Sequence, residues 1–173
     1  MMTESSSHEH KQKAAEQHQT ITLAIITVSD TRTKDTDVNG KYLQSQIAEL
    51  GHELALYEII KDEPTQVEAV LEEAASSPAQ VILFNGGTGI SKRDNTFDAL
   101  SRKLEKTLPG FGEIFRMLSY EQIGSAAMFS RATAGVYKGK VVVSTPGSPK
   151  AVELAWEKLV APELRHLAYE VGR

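Results

Sequence analysis

Four short apolar, β-branched runs punctuate the chain, at residues 21–28, 52–60, 81–84 and 141–143. Runs of that length and composition predict strands buried on both faces. Between them the apolar positions change to helical spacing. Leu43, Ile47 and Leu50 predict a helix over 39–50, stopped by Gly51. Pro64 suits the first turn of a helix that buries Val67, Val70, Leu71 and Ala74 and ends at Ser76-Ser77-Pro78. Thr96 predicts an N-cap for a helix through Phe97, Leu100 and Leu104. After the break at Pro109-Gly110, Phe111, Ile114, Phe115 and Leu118 mark a further helix. Residues 120–136 carry no clean period and fit either a helix end plus a strand or a loop crossing the rim of a site. Tyr137-Lys138-Gly139-Lys140 reads as a turn, and two helices, about 150–160 and 162–171, close the chain.

Strands alternating with helices predict an α/β fold with a parallel sheet covered on both faces. Ligands in such sheets bind outside the carboxyl ends of the strands. The polar loops at 29–30, 61–62, 85–94 and 146–149 each follow an apolar run, so a parallel sheet gathers all four on one rim. That convergence carries more weight than any loop by itself.

The 173 residues are 40% hydrophobic and 24% charged, enough for one core, and no internal repeat or interior linker appears. The expected organisation is a polar, disordered tail over 1–19 and one domain over 20–173. His8, His10 and His18 of the tail are assigned no role. A net charge of -4 argues against a nucleic-acid partner. With no cysteine, disulfides, thiolate metal sites and cysteine nucleophiles are excluded, and a reducing cytoplasm fits. No stretch has the ~20 apolar residues of a membrane span.

The richest chemistry lies in Asn85-Gly86-Gly87-Thr88-Gly89-Ile90-Ser91-Lys92-Arg93-Asp94. Three glycines in four residues allow backbone and ligand to approach closely, with N–H groups free to cradle an anion. Lys92 and Arg93 add positive charge, and Asp94 adds a carboxylate. The segment lacks the Gly-Lys-Ser/Thr ending of a P-loop and the third glycine of a dinucleotide fingerprint. Asp62 and Asp94, on neighbouring loops, can share Mg²⁺, which takes a few carboxylates plus phosphate oxygens. The plainer readings are a helix cap for Asp62 and an ion pair with Arg93 or Lys92 for Asp94. Ser29-Asp30 can meet a purine or pterin edge, or simply form an Asx-type turn. Pro146-Gly147-Ser148-Pro149 precedes a helix and can bind phosphate or serve as a rigid turn and cap. Arg131 can grip an anion bidentately or pair with an acid in an interface. No Ser/His/Asp order and no metal-ligand histidine pair stands out, which disfavours a serine hydrolase.

Six motifs occur in order: Val28-Ser29-Asp30, Lys61-Asp62-Glu63, Gly86-Gly87-Thr88-Gly89 with Arg93-Asp94, Pro109-Gly110-Phe111-Gly112-Glu113, Ser130-Arg131-Ala132 and Pro146-Gly147-Ser148-Pro149. Over about residues 21–168 the series resembles the molybdopterin-binding MoaB/Mog family of molybdenum cofactor biosynthesis proteins. Phe84-Asn85 stand where small hydroxyl residues are usual in that family. Thr88 and Arg93 set the chain apart from the related CinA-like proteins, whose loop has Leu in place of Thr88 and paired aspartates where Arg93-Asp94 stand.

The resemblance implies a three-layer α/β/α fold with a mostly parallel sheet, and assembly into trimers or hexamers. It implies binding of molybdopterin, a dithiolene pterin monophosphate, which active members adenylylate with MgATP, releasing pyrophosphate before molybdate insertion. The family's two essential aspartates correspond to Asp62 and Asp94. The glycine loop, Ser29-Asp30 and Pro146-Gly147-Ser148 correspond to nucleotide and pterin sites, with Lys92 and Arg131 as added cations. Two alternatives remain open at this point: a protein that binds molybdopterin or a nucleotide without turnover, and a scaffold for other molybdenum cofactor enzymes.

Overall fold

The computed structural model describes residues 20–173 together with Glu9, Gln12 and Lys13. The expected disordered tail, with His8, His10 and His18, lies otherwise outside the described residues. In chain order the elements are β1 (Thr22–Val28), α1 (Val38–Glu49), β2 (Glu53–Ile60), α2 (Pro64–Ser76), β3 (Val81–Asn85), α3 (Thr96–Lys103), β4 (Lys106–Thr107) and α4 (Pro109–Ile123). A 3₁₀ stretch (Gly124–Phe129) then leads to β5 (Thr133–Tyr137), β6 (Lys140–Thr145), α5 (Pro149–Ala155), a π-helical turn (Trp156–Val160) and α6 (Ala161–Gly172).

All six strands share one sheet in the order β2-β1-β3-β6-β5-β4. β1 runs parallel to β2 and β3, and β3 runs parallel to β6. Side chains alternate across β1, β3 and β6 and bury both faces, whereas β2, at the sheet edge, has no fully buried residue and departs from the expectation of a strand buried on both faces. Leu23, Ile25, Val81, Leu83, Val141 and Val143 meet α1, α5, the π-helical turn and α6 through Leu43, Ile47, Val152, Trp156 and Leu164. Ala24, Ile26, Ile82, Phe84 and Val142 meet α2 and α3 through Val67, Val70, Leu71, Ala99 and Leu100. The result is three α/β/α layers. Each fully buried Leu, Ile or Phe contributes about 1.5–3 kcal/mol.

The sheet departs from all-parallel pairing at one edge. β5 pairs antiparallel with both β6 and β4. The cause is local: Lys138 (φ 46°) and Gly139 (φ 70°) form a two-residue turn with both φ positive, the geometry that matches strand twist in a tight hairpin. The segment without a clean period resolves into the end of α4, the 3₁₀ stretch and β5. The two closing helices are joined without a break. Pro162 has no N–H to donate, and the chain widens just before it, where Ala161 N–H donates to Trp156 O five residues back.

Candidate active site

Because β1, β2, β3 and β6 are parallel, the loops that follow them share the carboxyl edge of the sheet. A cleft of about 300 Å³ opens there. Gly87, Thr88, Gly89 and Asp94 form one wall, and Pro146, Gly147, Ser148 and Lys150 face them. Phe115, Ser119, Ile123 and Phe129, from α4 and the 3₁₀ stretch, close a third side.

The glycine loop leaves β3 under close packing. Gly86 (φ 107°) gives its N–H to Thr145 O at 2.9 Å, and a Cβ there would stand 2.2 Å from Val28 O. At Gly87 (φ 68°) a Cβ would meet Thr96 Oγ1 at 2.3 Å and Asp62 Oδ2 at 2.7 Å. Only glycine tolerates both the positive φ and the contact. At Gly89 an added Cβ would lie 2.8 Å from Asp94 Oδ2, so both aspartates pack against the same short loop.

Their environments differ. Asp62 accepts from Asn95 N–H (3.2 Å to each oxygen) and from Thr96 Oγ1 (2.9 Å), and its own carbonyl accepts from Asn95 Nδ2 (2.9 Å). It therefore caps α3, not the adjacent α2. Burial pushes its carboxyl above the ordinary value; the bonds from Thr96 and Asn95 oppose the rise, and the charge of Asp94 adds to it. Asp94 lines the cleft, and its Oδ2 accepts from Ser91 N–H at 2.9 Å. Among the described residues no third acid or histidine joins a metal cluster. Two carboxylates, with the remaining positions left to phosphate oxygens and water, fit the donor chemistry of Mg²⁺.

Arg131 does not present an open fork to an anion. Its Nε and Nη2 donate to Gly89 O at 3.0 and 2.7 Å, Nη2 also reaches Asp94 O at 3.1 Å, and Nη1 reaches both oxygens of Asp98 at 3.0 Å. Its plane lies over the Phe97 ring, 4.6 Å from the centroid. With its donors spent on loop carbonyls and Asp98, the side chain braces the glycine loop from behind. Arg131 does pair with an acid, but with Asp98 of its own chain and not across an interface.

The other candidates divide in the same way. Ser29 Oγ accepts from Thr31 and Arg32 N–H at 3.3 and 3.1 Å, closing a hydroxyl turn. Asp30 pairs with Arg93 and so ties the loop after β1 to the glycine loop, while Asp94 is left without the Arg93 pairing considered for it. Lys92 is exposed and does not line the cleft. Ser148 caps α5 through Ala151 N–H (3.3 Å), ahead of Pro149. Thus Gly87, Thr88, Gly89, Asp94, Pro146, Gly147 and Ser148 come together around the cleft, with Gly86 and Asp62 packed behind the loop.

Sequence reasoning missed several contributors. Lys150 supplies the cation at the cleft, directly after the predicted phosphate loop. Phe115 had been placed only on a helix face, and Ser119, Ile123 and Phe129 fell in or beside the stretch without a period. Asn39 and Asn85, both buried, bond to each other beneath the rim at 3.0 Å. A pair of polar side chains at the strand end and in the helix's first turn was the available signal.

The family model described as a probable molybdopterin binding domain matches residues 24–166. The chain belongs to the MoaB/Mog family. This family member is 51% identical over 170 residues to molybdenum cofactor biosynthesis protein B of Bacillus subtilis (strain 168), covering 97% of this chain and 98% of the relative. A crystal structure of a molybdenum cofactor biosynthesis protein B superposes with a TM-score of 0.84 at 49% identity, over 88% of this chain and 96% of that one. The tungsten cofactor synthesizing protein MoaB from Pyrococcus furiosus gives 0.81 at 35% identity, over 90% and 99%. A role in molybdenum cofactor biosynthesis and a molybdopterin-binding domain follow for this MoaB/Mog protein. No helix among the described residues is long and apolar enough to cross a membrane.

Proposed function

We propose that this protein adenylylates molybdopterin with MgATP and releases pyrophosphate. The observation that carries the reading is the cleft itself. A glycine backbone and Asp94 face a phosphate-type loop and Lys150 across about 300 Å³, beside a wall of Phe115, Ile123 and Phe129. Flat aromatic and aliphatic surface suits a pterin ring, while Lys150 and loop amides suit phosphates.

In the reaction an oxygen of the pterin's phosphate attacks the α-phosphorus of ATP. The new P–O bond forms as the bond to the α–β bridging oxygen breaks, and pyrophosphate leaves with that oxygen. The chain needs no nucleophile of its own; it must hold the two phosphates in line and stabilise developing charge. Lys150 and the amides of residues 87–89 perform the second task, and the packed glycine loop the first. Mg²⁺, held by Asp94 with Asp62, would neutralise charge on the triphosphate and on the departing pyrophosphate.

One observation favours a second reading, in which molybdopterin is bound but not turned over, or is held for another molybdenum cofactor enzyme. Both oxygens of Asp62 already accept hydrogen bonds from the start of α3, which makes it a structural cap. Pyrophosphate release from MgATP with fresh molybdopterin separates the two: pterin-dependent release supports transfer, and none, with the bound pterin recovered intact, supports binding alone.

Self-association belongs to the proposal. α4 and the 3₁₀ stretch expose Ile114, Met117, Tyr120, Ile123, Met128 and Phe129, a band of apolar surface that a trimer or hexamer would cover. We take the cytoplasm, where ATP is at hand, as the compartment.

A further inference from the structure

The two facing walls of the cleft belong to different strand ends, and one buried side chain joins them. Asn39 Nδ2 donates to Gly147 O at 2.8 Å and to Asn85 Oδ1 at 3.0 Å. Asn85 Nδ2 donates in turn to Thr27 Oγ1 at 3.0 Å and reaches Ile26 O at 3.4 Å. The polarity is consistent throughout: the Asn39 amide nitrogen faces two acceptors, and the Asn85 amide turns its oxygen to Asn39 and its nitrogen to β1. Asn85 is the residue before Gly86, where the glycine wall begins. Gly147 lies in the opposite wall, so close that a Cβ on it would stand 3.2 Å from Gly86 Cα. Asn39 is 6% exposed and Asn85 1%, so water does not replace these bonds.

Asn39 is itself held firmly. It is the second residue of α1, whose cap Asp37 accepts from Gly40 N–H at 3.0 Å and from the Tyr57 hydroxyl at 2.8 Å. The Tyr57 hydroxyl is pushed well above its ordinary value by burial and by its bond to Asp37, which keeps it a donor. Position 39 is therefore anchored to β2 from one side and spans β3 and the loop after β6 on the other.

We propose that Asn39 is a positioning residue that sets the spacing of the two cleft walls, and with it affinity for the phosphate-bearing substrates of the proposed function. Only a side chain with two directed donors on one nitrogen serves both acceptors. Asp at this position keeps the shape and removes the donors, which turns two attractive contacts into two repulsive ones. Ala leaves Gly147 O and Asn85 Oδ1 unsatisfied.

The inference rests on the proposed function for its ligand but not for its mechanics, and the test has two arms. In the ligand-free full-length protein, amide hydrogen exchange is followed at Gly86, whose N–H bonds to Thr145 O, and at Ala151 and Val152, whose N–H groups bond to Ser148 O. Asn39→Ala and Asn39→Asp are expected to speed exchange at these amides about tenfold or more, with Leu23–Ile26 unchanged. Molybdopterin affinity, measured well below the melting temperature, is expected to fall about tenfold, which corresponds to ~1.4 kcal/mol. A merely structural role lowers the melting temperature while both local exchange and affinity stay at wild-type values, and that result overturns the proposal. Faster exchange at the walls in a protein whose wild type binds no molybdopterin upholds the clamp and removes the functional reading instead.

Discussion

Replacing Arg131 should destabilise the protein through the glycine loop, not through a lost ligand contact. Its guanidinium serves Gly89 O twice and Asp94 O once, at 2.7 to 3.1 Å. Losing a partner strands each carbonyl at a cost of ~1–3 kcal/mol when fully buried, and about 1 kcal/mol each is reasonable for this half-buried position. The contact with Phe97 at 4.6 Å adds about 0.5–1 kcal/mol. The pair with the largely exposed Asp98 adds no more than about 1 kcal/mol. Arg131→Ala should therefore cost about 3 kcal/mol. Arg131→Lys should cost about 2 kcal/mol, because one ammonium retains the charge but recovers only one of these directed contacts. Urea unfolding measures both. Asp94 sits on the same loop, so turnover should fall in both variants while the molybdopterin dissociation constant changes less. A cost below about 0.5 kcal/mol for Arg131→Ala would refute the brace. Normal stability with affinity alone abolished would restore Arg131 as a ligand contact.

Two further outcomes follow from other parts of the molecule. The folded-state pKa of Asp62 is raised above 3.8, so the native state holds its proton longer than the unfolded chain. The stabilisation this gives is complete below 3.8 and is lost as pH rises through the folded value. Asp62→Asn should thus flatten the pH dependence of urea unfolding in that window while turnover drops; a variant that loses stability relative to wild type as pH rises from 4 to 7 would contradict this. On the exposed α4 band, Met117→Asp should shift the light-scattering mass from an oligomer to a monomer, and a wild-type monomer would remove the self-association proposal.

The parts of the fold read from sequence are those where one local signal decides. Completely buried strands such as Val81–Asn85 and helices with one apolar face announce themselves by periodicity. The shared rim followed from parallel strands, and the cleft-lining Gly87, Gly89, Asp94 and Ser148 were found in that way. The antiparallel edge was hidden because β5 (Thr-Ala-Gly-Val-Tyr) is short and small-residued, and its direction is fixed by a turn recognised only as a turn. For Arg131 the sequence leaves an anion grip and an acid pairing open, and only the position of the carbonyls it serves shows its role as a brace. Asp62 was expected near a helix start, but the helix it caps begins 34 residues away, at Thr96. Such long-range satisfaction of polar groups has no sequence period, and the Asn39–Asn85 link escaped for the same reason.

The adenylyl-transfer account turns on Asp94. The most direct test is chromatography of the pterin product after incubation of the full-length protein with MgATP and molybdopterin, with Asp94→Asn run in parallel. The account predicts adenylylated molybdopterin and an equivalent of pyrophosphate from wild type, and unmodified bound molybdopterin from the variant. Equal product from both would contradict the role of Asp94, and intact molybdopterin from both would contradict adenylyl transfer itself.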